Sequence, residues 1–166
     1  SILRKLIAYD IRFIVVGGVA VALHGYDRMT GDIDILLALD ADNLIKMDKA
    51  MKAMGYYPRI PVELSELSDR VKIERYRKEK NMLAYTMTSS GQPTIQIDII
   101  IEESWDFEAF DQRKEFFDQE EISLPVISFE DLLAMKKKAG RERDRIDYSA
   151  LIHAKNLREN EDHSSS

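Results

Sequence analysis

The sequence predicts an α/β (α+β) domain: a central mixed, mostly antiparallel sheet, flanked by helices and finished by C-terminal helices. Three observations predict it. Residues 13–16 (FIVV) form an unbroken apolar run rich in β-branched side chains, the mark of a buried strand. Residues 33–39 and 94–101 alternate with period two, so each places aliphatic side chains on one face. Residues 40–55 and 128–156 instead carry apolar residues at helical spacing, with Gly55 and Gly140 as stops. A chain of 166 residues is long enough for one such domain with a real core. Residues 1–157 are read as that domain, and the polar 158–166, ending in three serines, as a disordered tail.

Composition narrows the class. Hydrophobic residues are 45% and charged residues 33%, the profile of a soluble globular protein. No apolar run approaches the roughly 20 residues that span a bilayer, so no membrane partner is expected. The opening SILRKLIAYD reads as a short amphipathic helix rather than a signal peptide, and the leading Ser leaves room for a start further upstream. A cytoplasmic location is expected. There is no Cys, which removes disulfides and thiolate metal sites, and the three His are too scattered for a zinc site. Net charge is −6, yet basic residues cluster at 70–80 and 136–145. Two basic patches on an acidic body suit a phosphate-bearing ligand more than a long duplex.

In order, residues 2–9 predict a short helix and 12–16 the first strand. Gly17 and Gly18 allow a sharp turn and close backbone approach, and residues 19–23 one or two helical turns. Residues 33–39 are the second strand. Asp40 caps a helix whose Met stripe is core filler. Pro58 and Pro61 argue for extended chain after it, followed by a short helix at 63–69. The basic stretch to Lys80 reads as loop or helix end. Residues 82–88 and 94–101 flank Ser89-Ser90-Gly91 as an antiparallel hairpin. A short helix at 106–112 precedes two edge strands near 114–117 and 122–127, with Pro125 marking the edge. Ser128 with Asp131 opens a helix in capping-box fashion, and 143–156 forms the last one.

The chemistry centres on residues 13–37. Asp32 and Asp34 stand on one face of a strand, about 6–7 Å apart at Cα. Two readings are open: a solvated strand edge, or a pair of ligands for a divalent cation that relieves their repulsion. Asp98, on the polar face of its own aliphatic strand, offers a third carboxylate. Arg28, four residues before Asp32, is positioned to neutralise a phosphate or lies solvated in its loop. Gly17 and Gly18 bring backbone N–H groups toward a triphosphate. Three such carboxylates fit two-metal nucleotidyl transfer, with Mg²⁺ as cofactor (Mn²⁺ as substitute) and a nucleoside triphosphate as substrate.

The stretch VGGVAVALHGYDRMTGDIDILL, with IQIDIII carrying Asp98, resembles the polymerase-beta-like nucleotidyltransferase superfamily. The C-terminal ISFEDLLAMKKKAGRERDRIDYSAL resembles the small bacterial AbiE-type group, the AbiEii toxin-like nucleotidyltransferases. The resemblance implies a nucleotidyltransferase fold, with Asp32, Asp34 and Asp98 as catalytic metal ligands. It also implies that Lys136 contacts nucleotide phosphates and that Asp144 or Asp147 is a further required acid. It implies transfer of a nucleoside monophosphate to an acceptor hydroxyl of RNA, protein or a small molecule, in a toxin–antitoxin or phage-defence setting. An antibiotic-modifying transferase and a non-catalytic, antitoxin-like partner module are the alternatives.

The residues add their own reading. Lys136 shares a face with Phe129, Leu132 and Leu133, so it leans inward to a negative partner or snorkels past the core edge. Asp147 can pair with Arg143 one turn earlier. Arg141 is a candidate phosphate or acceptor contact. His24 reads as a satisfied helix-end histidine or a nucleotide contact. The aromatics around Trp105 read as core or as an interface, compatible with a homodimer. The basic run 70–80 is a solvated face or an acceptor-side patch.

Overall fold

A computed structural model describes residues 1–165. Its seven strands form one mixed sheet in the order β3-β4-β5-β2-β1-β7-β6. The strands are β1 (Phe13–Val16), β2 (Ile33–Leu37), β3 (Tyr56–Pro58), β4 (Ala84–Ser89), β5 (Ile97–Ile100), β6 (Glu115–Gln119) and β7 (Ile122–Val126). The β1–β7 and β2–β5 pairs are parallel and the remaining four antiparallel, matching the expected mixed, mostly antiparallel sheet. The helices are α1 (Ile2–Ala8), α2 (Gly17–Leu23), α3 (Ala41–Ala53), α4 (Arg70–Lys80), α5 (Ile101–Ser104), α6 (Phe107–Arg113), α7 (Phe129–Ala139) and α8 (Glu142–Ser164). No helix is long and apolar enough to cross a membrane among the described residues.

The central strands carry the core. Phe13, Ile14, Val15 and Val16 are all buried, as are Ile35, Leu36, Leu37, Ile97 and Ile99. Each such side chain contributes roughly 1.5–3 kcal/mol on leaving water. Leu36 shares its face with Asp34 and is nonetheless fully buried. That face is therefore covered too, and only its Asp32–Asp34 end is open.

Four elements depart from expectation. The basic stretch at 70–80 is helix α4, started by Asp69, whose side chain accepts from Lys72 N at 3.1 Å, and anchored by buried Ile73. The strand expected at 94–101 narrows to Ile97–Ile100. Ser104 Oγ donates to the Ile100 carbonyl at 2.6 Å and turns the chain into α5. Strand β7 lies between β1 and β6 rather than at an edge. Its pairing with β1 is at Val126, so no β1 partner stands opposite Pro125 and its missing N–H. Residues 158–164, expected to be a disordered tail, continue α8 to Ser164. They contain neither Gly nor Pro, and Arg158 Nη2 donates to the His24 carbonyl at 3.0 Å. Ser166 lies outside the described residues.

Candidate active site

Strand β1 ends at the Gly-Gly turn, and antiparallel pairing sets Val16 opposite Asp34. Strand β5 runs parallel to β2 with Asp98 in register with Asp34. Neighbouring strands lie about 4.8 Å apart, so the two carboxylates share one small space. Gly17 is what admits Asp34 there. A Cβ on Gly17 would stand 2.0 Å from Asp34 Oδ2, and the residue has φ +63. A side chain at Gly18 would collide with Thr30 Oγ1 at 2.7 Å and crowd Arg28 Nη2 at 3.3 Å. The turn is thus packed against both the carboxylates and the loop that follows α2.

Burial raises the Asp34 pKa, and the neighbouring Asp98 and Asp32 raise it further, to about 6, against a smaller opposing pull from Lys136. Asp98 is held on its other side by Thr86, whose hydroxyl donates to Asp98 Oδ1 at 2.6 Å. Asp32 is exposed just ahead of β2, and its charge bears on Asp34. Among the described residues, no three His, Asp or Glu side chains stand as a ready-made metal cage. The donor set still suits a divalent cation. Hard carboxylate oxygens crowd together at the end of the sheet, Asp34 is penalised for its charge, and the turn beside it carries no side chains.

The second half of the site comes from α7 and α8. Ser128 caps α7 by accepting from Asp131 N at 3.1 Å, and Gly140 ends it in the left-handed region. Lys136 is only 8% exposed. Its Nζ lies 2.9 Å from Asp147 Oδ2 and 3.3 Å from Asp144 Oδ1. The inward lysine therefore finds acids on the next helix and does not snorkel. Asp147 does not turn to Arg143. It is 1% exposed and receives Arg28 Nη2 at 3.0 Å, 119 residues away in the chain. Arg28 Nε stands 2.9 Å from Asp147 Oδ1, an ion contact at an angle that makes no hydrogen bond.

Arg141 Nε donates to Asp144 Oδ2 at 2.7 Å. Burial works against the Asp144 carboxylate, but the Arg141 hydrogen bond and Lys136 outweigh it and hold its pKa below the ordinary range. That hydrogen bond also raises the Arg141 pKa, and the charge of Asp34 adds to the effect. A chain of charges, Arg28–Asp147–Lys136–Asp144–Arg141, buried at Asp147, Lys136 and Asp144 and exposed at Arg141, thus joins the loop after α2 to the C-terminal helices beside Asp34.

The other candidates fall elsewhere. His24 is buried at the end of α2, and its Nε2 donates to the Ile127 carbonyl at 2.8 Å with Phe117 and Phe129 edge-on. It is the satisfied helix-end histidine. Phe107 is core and Phe110, Phe117 and Trp105 pack partly against it, leaving only Phe116 of that group exposed. Sequence reasoning missed Thr86 and Thr30. Both are ordinary strand and loop residues until register is known.

The sheet order, the Gly-Gly turn and the facing aspartates define a nucleotidyltransferase fold. Two solved structures share it over most of both chains. One is the lincomycin-bound lincosamide antibiotic adenylyltransferase LnuA, with TM-score 0.57 and 19% identity over 90% of this chain and 91% of that one. The other is an antigenic nucleotidyltransferase-like protein from Paracoccidioides brasiliensis, with TM-score 0.59 and 16% identity over 93% and 72%. At such identities the likeness carries the fold alone. The chain belongs to the AbiEii family, the nucleotidyl transferase toxins of type IV toxin–antitoxin systems, whose family model matches residues 1–153. No curated protein matches the sequence.

Proposed function

We propose that this nucleotidyltransferase moves a nucleoside monophosphate from a nucleoside triphosphate to an acceptor hydroxyl, with Mg²⁺ as cofactor. One observation carries the reading: Asp34 and Asp98 stand in register on parallel strands, beside a glycine turn that admits no side chain. Asp32, Asp34 and Asp98 are the residues to hold the metal, and bound Mg²⁺ supplies nucleophile activation and charge neutralisation at the leaving oxygen. Asp98 would help to take the acceptor proton. The Gly17–Gly18 turn would bring backbone N–H groups toward the phosphates. Lys136, Arg28 and Arg141 provide positive charge for them, kept in position by Asp144 and Asp147.

The test incubates the protein with each labelled triphosphate, Mg²⁺ and cell lysate, and follows label and pyrophosphate. Label on an RNA or a protein, abolished by Asp34→Ala, supports a macromolecular acceptor and the toxin setting of the family. A second reading, a small cationic acceptor as in antibiotic modification, draws on the net charge of −6 and on the near full-length likeness to LnuA. It expects label in the small-molecule fraction. Triphosphate binding by calorimetry with no label on any acceptor would replace both with a non-catalytic partner module.

A further inference from the structure

Thr86, Asp98, Asp34 and Val16 occupy one row across four adjacent strands, β4, β5, β2 and β1. The row ends at the Gly17 turn. Within it Asp98 stands between a hydroxyl and a second carboxylate. Thr86 Oγ1 donates to Asp98 Oδ1 at 2.6 Å, the length of a hydrogen bond to an ionised carboxylate. The neighbours of Thr86 cannot take its place, because Tyr85 and Met87 are buried, 0% and 2% exposed, and project from the opposite face of β4.

A carboxylate at this position has two free torsions and a like charge beside it. Without an anchor it relaxes away from Asp34, toward solvent or toward β4. Thr86 occupies one oxygen from the side opposite Asp34 and fixes the plane of the group, which leaves the second oxygen for the space between the strands. Threonine suits the task twice over. Its β-branched side chain has restricted χ1 and belongs in a strand, so the hydroxyl is aimed at little further cost.

We propose that Thr86 is a positioning residue that orients the Asp98 carboxylate and thereby sets the affinity of the site for its divalent metal. The inference rests on the reading of Asp34 and Asp98 as metal ligands. Hydrogen-bond partners that orient ligands in this way are worth about 10–100-fold in metal affinity or activity.

The experiment compares wild type, Thr86→Val, Thr86→Ser and Asp98→Asn. Mn²⁺ alone is the probe, with free Mn²⁺ read by electron paramagnetic resonance. Thermal melts and the Mg²⁺ dependence of transfer are measured alongside. Thr86→Val keeps the shape and removes the hydroxyl. It is expected to weaken Mn²⁺ binding about ten-fold and to raise the Mg²⁺ half-saturation in proportion, with KM for triphosphate nearly unchanged. Thr86→Ser is expected to restore Mn²⁺ affinity to within about two-fold of wild type. Wild-type Mn²⁺ affinity in Thr86→Val, even with a lowered Tm, overturns the proposal, as does a Ser variant no better than Val. Unchanged Mn²⁺ affinity in Asp98→Asn overturns the metal reading itself, and the positioning role with it.

Discussion

At the residue scale, Asp34 carries a charge that the fold disfavours. Its pKa is raised to about 6 from an ordinary 3.8, by burial and then by Asp98 and Asp32. The folded chain therefore binds more protons than the unfolded one between about pH 4 and pH 6. Stability falls as pH rises through that window, and above it the penalty is on the order of 2–3 kcal/mol. Asp34→Asn removes the charge. It should abolish transfer, yet raise the Tm of metal-free protein clearly more at pH 7.5 than at pH 4.5. Melts in chelator at the two pH values check this, and an equal shift at both would refute it. Gly17→Ala acts on the same carboxylate from the other side. With 2.0 Å to Asp34 Oδ2 and a positive φ, it should cost more than about 1 kcal/mol and displace Asp34 from Asp98. Urea denaturation and Mn²⁺ binding should both register it. Asp34 and Gly17 were legible in the sequence as a motif. Their collision distance was not, because it depends on the antiparallel register of β1 and β2.

At the element scale, α7 and α8 hold buried charge in place of a wholly apolar seam. Lys136 meets Asp147 and Asp144 across the turn, and Asp147 also neutralises Arg28. Asp147→Ala would leave two cations facing each other in a poorly solvated space. A loss of about 3–5 kcal/mol is expected in urea denaturation, together with impaired triphosphate binding. A loss below about 1 kcal/mol would contradict the burial of this network. That Lys136 faces inward was legible from its helical spacing with Phe129, Leu132 and Leu133. Its partners were not: i,i+4 logic assigned Asp147 to Arg143, whereas the fold brought Arg28 from the far end of the chain. The C-terminal end of α8 was misjudged for a similar reason. A polar segment looks unstructured alone, but Arg158 reaches the His24 carbonyl. Truncation after Leu157 should therefore lower Tm by a few degrees relative to truncation after Arg158.

At the scale of the whole molecule, the charged surface should decide the class of acceptor. On α4, Arg77 is engaged with Glu74 and Glu102, and Lys72 with Glu66, whereas Arg75 and Lys78 are exposed along one groove with Val71. With a single-stranded RNA acceptor, Arg75→Ala with Lys78→Ala should weaken acceptor binding and reduce the log–log salt slope by about 1.4. An unchanged slope assigns α4 to the solvated surface. The sheet as a class was legible from strand-like and helix-like segments interleaving. Its order was not, because hydrophobic period fixes which face of a strand is buried and says little about which strand lies beside it. The β4–β5 hairpin was the exception, since the chain from Ser89 to Ile97 folds straight back and sets these two strands side by side.

The bridge between Arg28 and Asp147 closes a loop of 119 residues. A chain emerging from the ribosome exposes the Gly-Gly turn and both strand aspartates of residues 13–37 early. It cannot supply Lys136 or Asp147 until nearly all of the rest has been made. On the proposed reading, triphosphate binding should therefore await completion of the chain. A stalled nascent chain ending at Ile127 should bind no triphosphate, whereas release of the full chain should restore binding at the pace of α8 docking.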